Sequence, residues 1–371
     1  MIVGCPKEIK NQEYRVGLIP STVRDLANKN HQILIEKNAG LGSGFSDSEY
    51  VRSGAEIVEK ASEIYEKVDL IIKVKEPQLS ERKMLKTGQV LFTYLHLAPD
   101  FQQTNDLLKS GVTAIAYETV SDKKGGLPLL APMSEVAGRL APQVGAWALQ
   151  KANGGSGVLL GGVPGVLPAS VLVIGGGVVG TEAALIASKM GANVTVMDKS
   201  LSRLKYLDEL YSEKFDTCYS SSHNTEFLLK QADLIIGAVL IPGATAPKLV
   251  TKKDLSLLKT GSVIVDVAID QGGCFETSKP TTHDNPIYNI NGIIHYCVAN
   301  MPGAVSRTST IALSNATLPF VTALADNGWI NACLSDDNLL NGVNIHAGKI
   351  TNKAVGDAMD IETQDLYALV K

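Results

Sequence analysis

The chain has 371 residues, room for two domains at roughly 100–200 residues each. With 45% AVILMFWYC residues, 19% charged residues and a net charge of −4, it has an ordinary globular composition and no basic field for nucleic acid. The five cysteines (Cys5, Cys218, Cys274, Cys297 and Cys333) lack C-x-x-C spacing, and no apolar run reaches a membrane span of roughly 18 residues, so a disulfide framework, a metal site, secretion and membrane insertion are all disfavoured and a cytoplasmic protein is predicted.

In the first third, short apolar runs alternate with amphipathic stretches. Ile33–Ile35, Leu70–Ile72, Val90–Phe92 and Thr113–Ala116 are strand candidates with helical patterns between them. Such β-α alternation over roughly residues 1–130 predicts a mainly parallel sheet with helices on both faces. Two long helical segments follow at Ser134–Lys151 and Thr308–Ala325, flanking a second series of strands: Val171–Ile174, Val194–Met197, Leu234–Ile236 and Val263–Val265. These are continuous apolar runs, as expected of strands buried on both faces. Residues after 308 are too few for a further domain, so they are expected to pack back on the first. The predicted class is α/β with two doubly wound domains: a Rossmann NAD-binding domain, residues 131–306, inserted in a discontinuous Rossmann-like substrate domain, residues 1–130 and 307–371. The helical connectors would serve as hinges.

The NAD assignment rests on Gly175-Gly176-Gly177-Val178-Val179-Gly180, a G-x-G-x-x-G between the strand Val171–Ile174 and a helical run from Val178. Gly175 would make the tight turn, Gly177 would admit the pyrophosphate and Gly180 would let helix and strand pack closely. Asp198 lies 18 residues beyond Gly180, close to the ~20 expected of the carboxylate that accepts the adenine ribose hydroxyls and repels a 2′-phosphate. A turn-forming role would also place an aspartate there. Arg203 either faces the adenosine or is an exposed helical arginine.

Outside the fingerprint four residues carry chemistry. Arg15, in a charged segment between apolar runs, has the planar fork that clamps a small carboxylate; a solvated loop arginine is the alternative. Lys75 follows the run Leu70–Val74, and His96 follows Val90–Leu95, both at strand ends, where α/β sheets place ligands; a surface lysine and a structural histidine are the alternatives. His96 has the near-neutral titration that suits acid–base work. Asp270 closes the run from Val263 and precedes Gln271-Gly272-Gly273, putting a carboxylate, or a simple turn cap, at the mouth of the second domain.

The chain resembles the alanine dehydrogenase family over essentially its whole length. The likeness is carried by Pro6-Lys7-Glu8 through Arg15-Val16, Val74-Lys75-Glu76-Pro77, Tyr94-Leu95-His96-Leu97-Ala98, Met133–Arg139, Leu160–Val166, Val265–Gly273 and Val298–Val305. The resemblance implies that Arg15 and Lys75 bind the substrate carboxylate and carbonyl, and that His96 and Asp270 form the catalytic acid–base pair. It implies cofactor contacts from Ser134, Val178, Val179, Asp198, Arg203, Ser220, Val239, Leu240, Val267, Ala268, Ile269, Asp270, Lys279, Val298, Ala299, Asn300 and Met301, beside the fingerprint glycines. Lys279 stands where an arginine is expected and Ser306 where a proline is expected; lysine lacks arginine's fork. The implied activity is reversible, NAD-dependent oxidative deamination of L-alanine to pyruvate and ammonium, by a homohexamer. The competing readings are the NAD-binding subunit of a proton-translocating transhydrogenase, a saccharopine-type dehydrogenase, and a catalytically silent NAD-binding protein.

Overall fold

A computed structural model of the chain describes residues 1–239 and 246–370. In chain order its strands are β1 (Ile2–Cys5), β2 (Gln32–Glu36), β3 (Ala55–Val58), β4 (Leu70–Ile72), β5 (Val90–Thr93), β6 (Thr113–Ala116), β7 (Ser170–Ile174), β8 (Asn193–Asp198), β9 (Asp216–Tyr219), β10 (Leu234–Gly237), β11 (Val263–Asp266), β12 (Ile287–Ile290), β13 (Ile293–Tyr296), β14 (Val343–His346) and β15 (Lys349–Ile350). The chain divides into two compact units, Met1–Met133 with Val305–Lys371, and Ser134–Ala304.

In the first unit the described strands are ordered β15-β14-β6-β5-β4-β1-β2-β3. β1 to β6 run parallel, and β14 pairs antiparallel with β6. The parallel part thus follows the doubly wound order 3-2-1-4-5-6, whose direction of winding reverses between β1 and β4. β4, β5 and β6 are buried along their whole length, which is why they read as unbroken apolar runs. β1 was not legible as a strand, although it lies at the centre of the sheet. Four residues interrupted by Gly4 give too short a pattern, and a Cβ at Gly4 would lie 2.5 Å from Ile64 and 2.7 Å from Val68.

The second unit repeats the plan, with described strands ordered β12-β13-β11-β10-β7-β8-β9 and β12 the antiparallel edge. Its reversal point falls between β7 and β10, which pair in parallel register from Val171–Leu234 to Ile174–Gly237. The helix expected at Ser134–Lys151 spans Ala131–Ala148. The helical run expected at Thr308–Ala325 extends over Ser306–Ser335 and is broken at Gly328, whose φ of 72° and ψ of 156° no helical residue adopts.

Candidate active site

The parallel register of the first sheet carries the carboxyl ends of β1, β4, β5 and β6 to one side. The residues just past those ends are Glu8, Lys75, His96 and Glu118, a concentration of charge that the strand order, not sequence proximity, creates.

Arg15 is 2% exposed, which removes the solvated-loop alternative. Its Nε and Nη2 donate to the two carboxylate oxygens of Glu13, at 2.7 and 2.5 Å, and Nη1 lies 3.1 Å from the Met133 sulfur. The fork edge expected to clamp a substrate is therefore occupied by a protein carboxylate. Burial opposes ionisation of Glu13, but the hydrogen bonds and charge of Arg15 outweigh it, with Lys75 adding to the effect, and hold the carboxyl at about 2. Glu13 is thus paired with Arg15 and also feels the charge of Lys75. The Lys75 backbone is fixed on both sides: its N–H donates to Glu8 at 3.2 Å, and its carbonyl accepts from the Thr93 hydroxyl at 2.9 Å.

His96 is exposed and adopts a left-handed backbone, φ 49°, costly for a residue with a Cβ. Glu118 stabilises that turn by accepting the His96 N–H at 2.6 Å and the Leu95 N–H at 3.2 Å. The same carboxylate lies 3.9 Å from His96 Nδ1, too far for a hydrogen bond but within charge–charge range. The imidazole stacks with the Tyr94 ring at 5.9 Å and 5°, and the buried Tyr94 hydroxyl donates to the Leu129 carbonyl at 2.5 Å. Arg15 is thus held by Glu13, the Lys75 backbone by Glu8, and His96 by Glu118 and Tyr94, none of which sequence reasoning singled out. Their common signal was position: each lies on or just after a strand end, or in the same charged loop as Arg15.

In the second unit the fingerprint glycines follow β7 directly. Gly175 has a φ of 103°, and a Cβ at Gly180 would fall 1.8 Å from the Gly175 carbonyl oxygen, so this approach of helix to loop admits only glycine. A Cβ at Gly177 would meet nothing within 4 Å, so this face of the loop has room for a large group. The helix Val178–Lys189 starts there without a side-chain cap, leaving its first backbone N–H groups to serve an anion. These features fit a dinucleotide pyrophosphate. Asp198, at the end of β8, accepts the Gly176 N–H at 2.7 Å and the Ser200 N–H at 2.8 Å. Two carboxylate oxygens retain acceptor capacity beyond those bonds. Arg203 donates through Nε to the Gly176 carbonyl at 2.6 Å and through Nη2 to Thr181 at 3.0 Å, bracing the loop from below.

The other cofactor candidates lie around the same carboxyl ends. Ser220 follows β9 and donates its N–H to the Asp198 carbonyl at 2.9 Å; Val239 follows β10; Leu240 lies outside the described residues. Val267, Ala268 and Ile269 follow β11, and Asp270 is exposed in the helical turn Ile269–Gln271. Asp266, fully buried, anchors that turn by accepting from the N–H groups of Ala268 and Cys274 at 3.1 and 2.9 Å and from the Ser278 hydroxyl at 2.5 Å. Val298, Ala299, Asn300 and Met301 follow β13, Asn300 with a φ of 68°; the Lys279 side chain is exposed and its N–H donates to Tyr288 at 2.8 Å. Ser134 is half-buried in the helix Ala131–Ala148. His96 belongs to the first unit and Asp270 to the second. Among the described residues there is no cluster able to hold a metal and no helix long and apolar enough to cross a membrane.

Two family models match in tandem: alanine dehydrogenase/PNT, N-terminal domain, over residues 4–137, and alanine dehydrogenase/PNT, C-terminal domain, over residues 141–353. The chain is 56% identical to an alanine dehydrogenase of Halomonas elongata over 100% of both chains, and 53% identical to one of Mycolicibacterium smegmatis over 98% of both. A solved L-alanine dehydrogenase superposes with a TM-score of 0.94 at 50% identity, covering 97% of this chain and 99% of the other. A transhydrogenase of Sinorhizobium meliloti, at 24% identity and a TM-score of 0.81 over 94% of this chain and all of the other, shares the fold. With both family models matched in order and the likeness running over the full length, the chain belongs to the alanine dehydrogenase/PNT family.

Proposed function

We propose that this protein is an NAD-dependent dehydrogenase that interconverts L-alanine with pyruvate and ammonium. The observation that carries the reading is the placing of Lys75 and His96 past the ends of the adjoining strands β4 and β5, with the buried Arg15 in the loop after β1, in a chain more than half identical to relatives named alanine dehydrogenase. The first unit is the substrate domain and the second the NAD domain. Arg15, braced by Glu13, binds the substrate carboxylate. Lys75 places a positive charge at the carbonyl oxygen of pyruvate and stabilises the oxyanion that develops there when ammonia adds.

Bound NAD supplies the acceptor for the hydride leaving the alanine Cα. Hydration of the resulting iminium and expulsion of ammonia each require a proton to be moved. His96 and Asp270 are the groups that move them, His96 carrying the proton on an imidazole steered by Glu118. Asp198 accepts the ribose hydroxyls and so selects NAD over NADP, with the pyrophosphate resting on Gly175, Gly177 and the helix start at Val178. The protein works in the cytoplasm as a closed homo-oligomer, a hexamer.

Initial rates of NADH formation by the purified protein, with L-alanine against other amino acids and NAD against NADP, test the assignment. L-alanine with NAD is expected to give the highest kcat/KM. Turnover of a larger amino acid in preference to alanine, or hydride exchange between nucleotides with no amino acid, would overturn it.

A further inference from the structure

The first unit buries a charged cluster that the proposed chemistry does not use. Lys73 is 0% exposed, and its ammonium donates to Glu8 at 3.0 Å and to Glu81 at 2.8 Å. Glu81 also accepts from the Tyr65 hydroxyl at 3.2 Å and the Gln78 N–H at 2.7 Å. Glu8 and Glu81 are themselves buried, so two carboxylates share one ammonium out of contact with water. Burial raises Glu8 above the usual carboxylate range, opposed chiefly by the charge of Lys73. Stability alone explains such a cluster poorly, because well-packed apolar side chains commonly serve as well or better than a buried ion pair.

The geometry of Glu8 gives a different reason. While Oε2 faces Lys73, Oε1 accepts the backbone N–H of Val74 at 2.7 Å and of Lys75 at 3.2 Å. Glu8 follows β1 and Lys75 follows β4, so these bonds cross the point where the winding of the sheet reverses. On the far side of Lys75, the Thr93 hydroxyl takes its carbonyl. Lys75 is thereby held by its backbone between two neighbouring strand ends.

We infer that Glu8, fixed in place by the buried Lys73–Glu81 pair, is the positioning residue for Lys75. This rests on the reading of Lys75 as a substrate-binding group. Because the carboxylate acts on the backbone of residues 74 and 75, its loss is felt through the aim of the Lys75 ammonium, and the nucleotide-binding unit is untouched.

A double-mutant cycle of Glu8→Ala and Lys75→Ala tests the inference, read as kcat/KM for pyruvate at saturating NADH and ammonium, with the KM for NADH and the melting temperature recorded alongside. Glu8→Ala is expected to lower kcat/KM for pyruvate about tenfold or more while the KM for NADH stays within about twofold, and in the Lys75→Ala background it should cost less than about twofold further. Losses that multiply in the double variant would make Glu8 a purely structural residue and overturn the inference. Should Glu8→Ala fail to fold, Glu8→Asp carries the same cycle, since it keeps the charge facing Lys73 but draws the carboxylate back from both N–H groups. An undiminished kcat/KM in Lys75→Ala alone would remove the role of Lys75 and the inference with it. An impaired Lys75→Ala with multiplying losses would remove only the inference.

Discussion

The two units wind their sheets in the same order and place their functional groups at the same topological point, yet they build them from different material. The first unit uses side-chain charges: the buried Glu13 on Arg15, the buried Glu8 on the Lys75 backbone, and the half-buried Glu118 on the backbone of His96. The second uses backbone, with three glycines, an uncapped helix start and two anchoring aspartates, Asp198 and Asp266. The ligands account for the difference. A pyrophosphate is recognised by N–H groups that any chain carries once side chains are cleared away, whereas a small amino acid must be held by a few charges aimed at its carboxylate and reacting carbon.

The sharpest test of this contrast is to remove chemistry from one unit and leave the other intact. His96→Ala is expected to lower kcat by about two orders of magnitude or more, while fluorescence titration finds NADH bound as tightly as before. Near-normal turnover would take His96 out of the reaction. Within the second unit, Gly180→Ala forces a Cβ to 1.8 Å from the Gly175 carbonyl oxygen, backbone against backbone. That collision should cost about 1–3 kcal/mol in urea unfolding and abolish NAD binding. Gly177→Ala meets no neighbour and should melt like the wild type, yet bind NAD about tenfold more weakly, because its methyl occupies the ligand's approach. Unchanged NAD affinity in Gly177→Ala would break the backbone-cradle account.

A smaller effect is expected at Glu118. Glu118→Ala strands the N–H groups of Leu95 and His96 and should lower kcat about tenfold with little change in the KM for NADH, whereas Glu118→Gln, which keeps an acceptor, should recover most of it. Equal loss in both variants would point to the charge near Nδ1 instead of the turn. The smallest effect concerns acid. Since the Glu13 carboxyl is held at about 2, below its unfolded value, the stability it contributes is complete above the ordinary carboxylate pKa of about 4.3 and is lost as pH falls from there toward 2. Urea unfolding at pH 7, 5, 4 and 3 should therefore show the gap between wild type and Glu13→Gln narrowing only below about pH 4.3. A gap constant over that range would mean that Glu13 is not ionised against Arg15.

The second unit was the more legible in sequence because its motif is local: strand, three glycines, helix and the carboxylate of Asp198 fall within about 30 residues. In the first unit, Arg15, Lys75 and His96 were identified from residue type, strand ends and family resemblance. Their partners were not, since Glu8, Glu13, Tyr94 and Glu118 are spread over more than a hundred positions and each alone reads as a surface charge or a core ring. The short strands β1, β3, β9 and β12 to β15 went unread because a glycine or a polar residue interrupts each apolar run, whereas β4, β10 and β11, no longer than most of these, carry three consecutive apolar residues.

By itself the sequence determined the α/β class, the buried parallel strands and the glycine loop. Each of these is written in a contiguous run of residues whose burial or dihedral demands depend on near neighbours. Which edge of Arg15 is taken, why His96 tolerates a left-handed backbone, and that Glu8 grips Lys75 from the next strand were decided only in the tertiary structure. Parallel pairing sets side by side residues far apart along the chain, and a charge acquires its partner, and with it its protonation state, only once both have left water.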